Sequence, residues 1–132
     1  MNRIKLLTII DDDEVFVFLT TKAIEKTNIV DKVTVFHNGK QALTFFEQNF
    51  NKPELLPEII LLDLFMPVMD GWQFLEEFIK IQPRFEKKIV VYVITSSISP
   101  IDAKKAKTIT QISDFIVKPV TKEKLLDNIL KL

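Results

Sequence analysis

Five short apolar runs, each broken at its end by polar residues, alternate with stretches whose apolar residues recur at helical spacing. The runs cover residues 4–10, 33–36, 59–62, 89–94 and 115–117. They are rich in Ile, Val and Leu and show almost no polar alternation, as strands covered on both faces do. Val15, Phe18, Leu19 and Ile24 mark a helix that follows Asp11-Asp12-Asp13-Glu14, with Asp13 as its N-cap. Ala42, Leu43, Phe45 and Phe46 mark a second helix after the Asn38-Gly39 turn. Trp72, Leu75, Phe78 and Ile79 mark a third, closed by Gln82-Pro83. A fourth, over residues 101–108, has few apolar anchors. Leu125, Leu126, Ile129 and Leu130 form the apolar face of a fifth. The two prolines in residues 51–57 make that segment a loop. Strand and helix repeated five times predict an α/β fold: a single doubly wound (βα)5 domain with a parallel sheet and right-handed crossovers.

At 132 residues the chain is expected to be one domain, residues 1–132, without an attached output domain. Eighteen basic and eighteen acidic side chains cancel, so no overall field draws the chain to nucleic acid or to a membrane surface. The absence of cysteine excludes disulfides, thiol catalysis and thiolate-bound metals. The first apolar run is too short for a signal peptide core, and a cytoplasmic location is expected. The eleven phenylalanines fall mostly at helical spacing with no accompanying basic stripe, which points to core packing rather than base stacking.

In a parallel sheet every strand ends on the same edge, and that edge is where open α/β sheets bind ligands. Here four strand ends carry polar groups: Asp11 and Asp12, Asp63, Thr95 and Lys118. Each has an ordinary explanation by itself. An aspartate caps a helix; Thr95 and Ser96 cap the fourth helix; Lys118 before Pro119 is a solvated turn residue. His37, after the second strand, is a surface or edge residue with no metal set around it. Structural roles do not jointly account for three carboxylates, a hydroxyl and one cation on one edge. Two carboxylates about 4 Å apart repel by roughly 4 kcal/mol at an effective dielectric of about 20. Asp12 and Asp63 therefore need a cation or a shared proton; Lys118 supplies one charge, and a hard divalent ion such as Mg²⁺ would supply the rest. A carboxylate in such a setting can attack phosphorus to give an acyl phosphate.

The motifs Ile9-Ile10-Asp11-Asp12, Leu62-Asp63-Leu64-Phe65-Met66-Pro67 with Met69-Asp70-Gly71, Val93-Ile94-Thr95-Ser96 and Phe115-Ile116-Val117-Lys118-Pro119 occur in this order. Together they resemble the response-regulator receiver domain of two-component signalling, chemotaxis-regulator-like and of the stand-alone type. The resemblance implies a flavodoxin-like strand order 2-1-3-4-5. It implies that Asp63 accepts a phosphoryl group from a sensor histidine kinase or phosphotransfer protein. Mg²⁺ would be bound by Asp12, Asp63 and the Phe65 main-chain carbonyl, with Asp11 acting mainly through water. Lys118 would contact a phosphoryl oxygen, and its bond to Pro119 would be cis. Thr95 would swing onto the phosphoryl group, and Phe115 is the switch aromatic that turns inward with it. Ser96 is small, as the family requires beside the phosphoryl group. The fourth helix, fifth strand and fifth helix would form the surface for a downstream protein, and a homodimer stays open.

The chain departs from the pattern in places. Phe65 is bulky and apolar where many receivers have a polar residue or methionine. Phe65 and Ser97 resemble the positions that tune hydrolysis of the acyl phosphate, and Phe65 is expected to lengthen its lifetime. The segments around residues 53–57 and 83–88 are longer than in minimal receivers and resemble stand-alone receivers, some of which serve phytochrome-type kinases. Ser113-Asp114 stands where Gly-Ala is common. A phosphatase of the haloacid-dehalogenase type would need a second aspartate where Phe65 stands. A nucleotide module would need a glycine-rich loop, and only Gly39 and Gly71 exist. A phosphorylation-independent interaction module is the remaining alternative, and the complete acidic and lysine set speaks against it.

Overall fold

A computed structural model describes residues 3–96 and 99–130. Its strands are β1 (Ile4–Ile10), β2 (Val30–Phe36), β3 (Ile59–Asp63), β4 (Val90–Thr95) and β5 (Ile112–Val117), all parallel and ordered β2-β1-β3-β4-β5. The alternating helices are α1 (Glu14–Thr27), α2 (Gly39–Gln48), α3 (Gly71–Ile81), α4 (Pro100–Lys107) and a short α5 (Lys122–Lys124) that continues as a π-helical segment, Leu125–Ile129. The flavodoxin-like α/β architecture and the strand order expected from the sequence are both present. β2 and β5 begin earlier than their apolar runs suggest, because pairing to an interior neighbour extends a strand through polar residues such as Asp31 and Asp114.

Order β2-β1-β3-β4-β5 places β3 in the centre, and all five residues of β3 are buried. Each face of the sheet carries its own core. On one face Ile4, Leu7, Ile9, Ile59, Leu61, Tyr92 and Ile94 pack against Phe16 and Ile24 of α1 and Leu125 and Ile129 beyond α5. On the other, Ile10, Ile60, Leu62 and Val91 meet Ala42, Leu43 and Phe46 of α2 and Phe74, Leu75 and Phe78 of α3. The second core is aromatic. Phe46 lies edge-on to Phe36, Phe74, Phe78 and Phe85, with centroids 6.0–6.4 Å apart, and Phe74 stacks on Phe78 at 5.4 Å. The phenylalanines are thus core residues for the most part, as their spacing predicts.

Two expectations about helices change. Val15, Phe18 and Leu19 mark the period of α1, yet all three are exposed; the buried face is Phe16, Thr20 and Ile24. Hydrophobicity all round the helix hides which side faces the sheet. The last helix is not a regular α-helix: the Leu130 amide donates to the Leu125 carbonyl five residues back, at 2.7 Å. Tyr92 of β4 reaches this segment and donates its hydroxyl to the Asn128 carbonyl at 3.0 Å.

Candidate functional site

The β3–α3 connection shows how tightly one strand end is built. Asp70 caps α3 by accepting from the Gln73 amide at 2.9 Å, and Gln73 returns the bond to the Asp70 amide at 2.9 Å. Gly71 opens the helix and donates to the Leu64 carbonyl at 2.9 Å. A Cβ at Gly71 would fall 2.6 Å from the Asp63 carbonyl oxygen and 2.9 Å from the Leu64 Cα, so only glycine lets the helix start so close to the strand end. Between them the chain makes a tight turn at Val68, whose φ is +69°, with Met69 donating to Pro67 at 2.7 Å. A left-handed, β-branched residue stores strain, which the anchored ends of this loop sustain.

The β1 end is organised by caps. Asp11 accepts from the Asp13 amide at 2.9 Å, and Asp13 accepts from Val15 and Phe16, at 3.0 and 3.1 Å, as the N-cap of α1. At the β4 end, Thr95 is fully buried and its carbonyl accepts from the Lys118 amide at 2.8 Å, tying β4 to the turn after β5. The Lys118–Pro119 bond is cis, as the resemblance implies. Lys124 braces this turn by donating to the carbonyls of Val117 and Pro119 at 2.7 and 3.0 Å. Neither Thr95 nor Ser96 caps α4; Ser99 does, accepting from the Asp102 amide at 3.0 Å.

These four strand ends meet. Carboxylate oxygens of Asp11, Asp12 and Asp63 lie within 4.8 Å of one another. The Lys118 Nζ stands 3.2 Å from Asp11 Oδ2 and 3.9 Å from Asp63 Oδ1. Asp11 and Asp63 are buried and Asp12 is exposed. Burial, and next the charge of Asp11, push the Asp63 carboxyl up to about 6, against the pull of Lys118 and the Phe65 amide. Asp11 is raised too, chiefly by burial. Its Oδ2 is fully buried and, although near the lysine, makes no aligned hydrogen bond. One lysine against three carboxylates leaves the cluster short of positive charge. An all-oxygen donor set with an orphaned buried oxygen fits a hard divalent cation such as Mg²⁺.

The remaining sequence-predicted residues are distributed around this cluster. Phe65 is 66% exposed and turns its ring to solvent beside Asp63. Ser96 is exposed next to Thr95, and Phe115 is half-buried on β5. Ser97 lies outside the described residues. His37 is exposed at the end of β2. The sequence reading passed over Phe16. Its ring lies under Lys118, with the ammonium 4.3 Å from the ring centroid. No sequence signal separates it from the equally apolar Val15, Phe18 and Leu19; packing on the sheet alone turns it inward.

Comparison with known proteins agrees with this arrangement. Residues 7–130 match the family described as the response regulator receiver domain. The chain is 30% identical over 128 residues to a chemotaxis protein CheY from Listeria monocytogenes, covering 97% of each sequence. It superposes on a two-component response regulator from Cytophaga hutchinsonii with a TM-score of 0.84 and 29% identity, covering 94% of this chain and 92% of that one. For the bacteriophytochrome response regulator RtBRR the TM-score is 0.78 at 28% identity, covering 98% of this chain and 77% of that one. Among the described residues no helix is long and apolar enough to cross a membrane.

Proposed function

Because the chain belongs to the response regulator receiver domains of two-component signalling, we propose that it is a phosphoacceptor switch with Asp63 as the acceptor. The observation that carries this reading is the meeting of Asp63 with Asp11, Asp12 and Lys118 at the carboxyl edge of the central strand. In its ionised form an Asp63 oxygen attacks the phosphorus of a phosphohistidine on a histidine kinase or phosphotransfer protein. The phosphorus–nitrogen bond breaks, the imidazole leaves with its electron pair and takes up a proton, and an acyl phosphate remains on Asp63. Asp11, Asp12, Asp63 and the Phe65 carbonyl would hold Mg²⁺, which supplies the positive charge that phosphoryl oxygens require. Lys118 neutralises a further phosphoryl oxygen. The chain itself is a switch rather than an enzyme.

Modification adds close to two negative charges at a buried strand end, and Thr95 and Phe115 carry the response outward. Exposed Ile101, Val117 and Leu126 on α4, β5 and the last helix offer the apolar contacts a downstream protein needs. Exposed Val15 and Leu19 on α1 line a groove with Ser96, Lys118 and Pro119, which offers apolar contacts to an approaching donor protein.

Incubation with Mg²⁺ and phosphoramidate should add one phosphoryl mass to the protein, and Asp63→Asn should abolish it. An unmodified wild-type protein would leave only the phosphorylation-independent module. Phe65 has no polar atom with which to orient an attacking water. Phe65→Asn should therefore shorten the lifetime of the modified form, and an unchanged lifetime would remove that role.

A further inference from the structure

The Lys118 ammonium is held from three sides, and only two of them are anionic. Asp11 and Asp63 lie at 3.2 and 3.9 Å; the third side is the face of Phe16, with the centroid at 4.3 Å. Phe16 is buried in the same core cluster as Ile9, Ile94 and Val120, and the Asp13 carboxylate that caps α1 accepts from its amide. Asp13 in turn donates its own amide to Asp11. The backbone that carries the ring is therefore fixed to the same turn as the acidic cluster, and burial in the core holds the ring itself.

Such a ring does something that a third carboxylate does not. The quadrupole of its face attracts an ammonium, most strongly where water is excluded. It presents no oxygen with which to compete for a metal ion. Asp11 and Asp63 must turn their oxygens to the cation and, in the case of Asp63, to phosphorus; Phe16 has no second duty. We infer that Phe16 is a positioning residue, whose ring face seats the Lys118 ammonium beside Asp63 while the carboxylates are engaged in phosphoryl transfer. This rests on the phosphoacceptor reading and adds to it a residue outside the acidic and lysine set.

The test replaces Phe16 by mono-, di- and trifluorinated phenylalanine, which keep the shape of the ring and drain its face of negative charge, and separately by Leu. Phosphorylation by phosphoramidate at saturating Mg²⁺ should slow stepwise along the fluorinated series, and Phe16→Leu should slow it about fivefold. Thermal midpoints should stay level across the fluorinated proteins. The Lys118 side-chain protons, shielded by the ring in the wild type, should move downfield in Phe16→Leu whether or not the protein is phosphorylated. Equal rates along the fluorinated series overturn the inference. So do Lys118 shifts that Phe16→Leu leaves unmoved. A wild-type protein that takes no phosphoryl group overturns the phosphoacceptor reading instead.

Discussion

The two helices that follow the site-bearing central strands are built to different standards. α3, after Asp63, has a reciprocal capping box, a glycine wedged against the strand end, and Phe74, Leu75 and Phe78 in the aromatic core. α4, after Thr95, has a single Ser99 cap and one buried residue, Ala106, while Ile101 in its first turn is 80% exposed. One side holds Asp63, the proposed acceptor, in place; the other leaves the element beside Thr95 lightly attached. The proposed switch would use both, because a charge added to a rigid frame displaces whatever is least stabilised around it. Lys105 of α4 reaches Trp72 of α3, its ammonium 4.7 Å from the ring, and so spans the two standards.

The contrast can be attacked from its strong side first. Phe78→Ala removes a fully buried ring that contacts Phe46, Phe74 and Phe85, and should lower unfolding stability in urea by roughly 3–5 kcal/mol. A loss below about 1 kcal/mol would mean that α3 is no better anchored than α4.

The second attack is at the strand end itself, by pH in the metal-free protein. Folded Asp63 keeps its proton up to about 6, whereas the unfolded group releases it near 3.8. The folded state binds the extra proton between these values, so stability falls as pH rises from about 4 to about 6. Asp63→Asn removes the buried charge and should make the protein more stable than wild type at pH 7, by on the order of 2–3 kcal/mol. The advantage should vanish near pH 4, and denaturation at the two pH values measures it. An advantage of the same size at both would show that charge is not what Asp63 pays for its position.

On the weak side, Ser99→Ala deletes the α4 cap at a local cost of about 1 kcal/mol. Amide exchange in α4 should quicken about fivefold while that of α3 and the global midpoint hold still. If α3 amides quicken equally, the two helices open as one unit and the contrast fails.

The same difference explains what was legible in the sequence. Five apolar runs and their terminal polar residues were enough to predict the parallel sheet and the convergence of Asp11, Asp12, Asp63 and Lys118, because strand ends on one edge need no further information. The weakness of α4 was readable as a shortage of apolar residues. The buried face of α1 was not, since Val15, Phe18 and Leu19 are as apolar as Phe16, and only packing on the sheet decides among them. Nor was the Ser99 cap, since Thr95 and Ser96 are chemically as suitable; Thr95 ends a strand, and the helix starts five residues later. The π-helical end of the chain follows from no residue pattern in Leu125–Ile129, and its Tyr92 contact comes from a distant strand.

Trp72 is the only tryptophan in the chain, and it stands where the firm helix touches the loose one. An indole that loses a nearby ammonium changes the energy of its excited state, so any departure of α4 from α3 is translated into the colour and intensity of ultraviolet emission. The protein thus carries its own optical gauge at the seam between its two halves, and no dye has to be attached to read it.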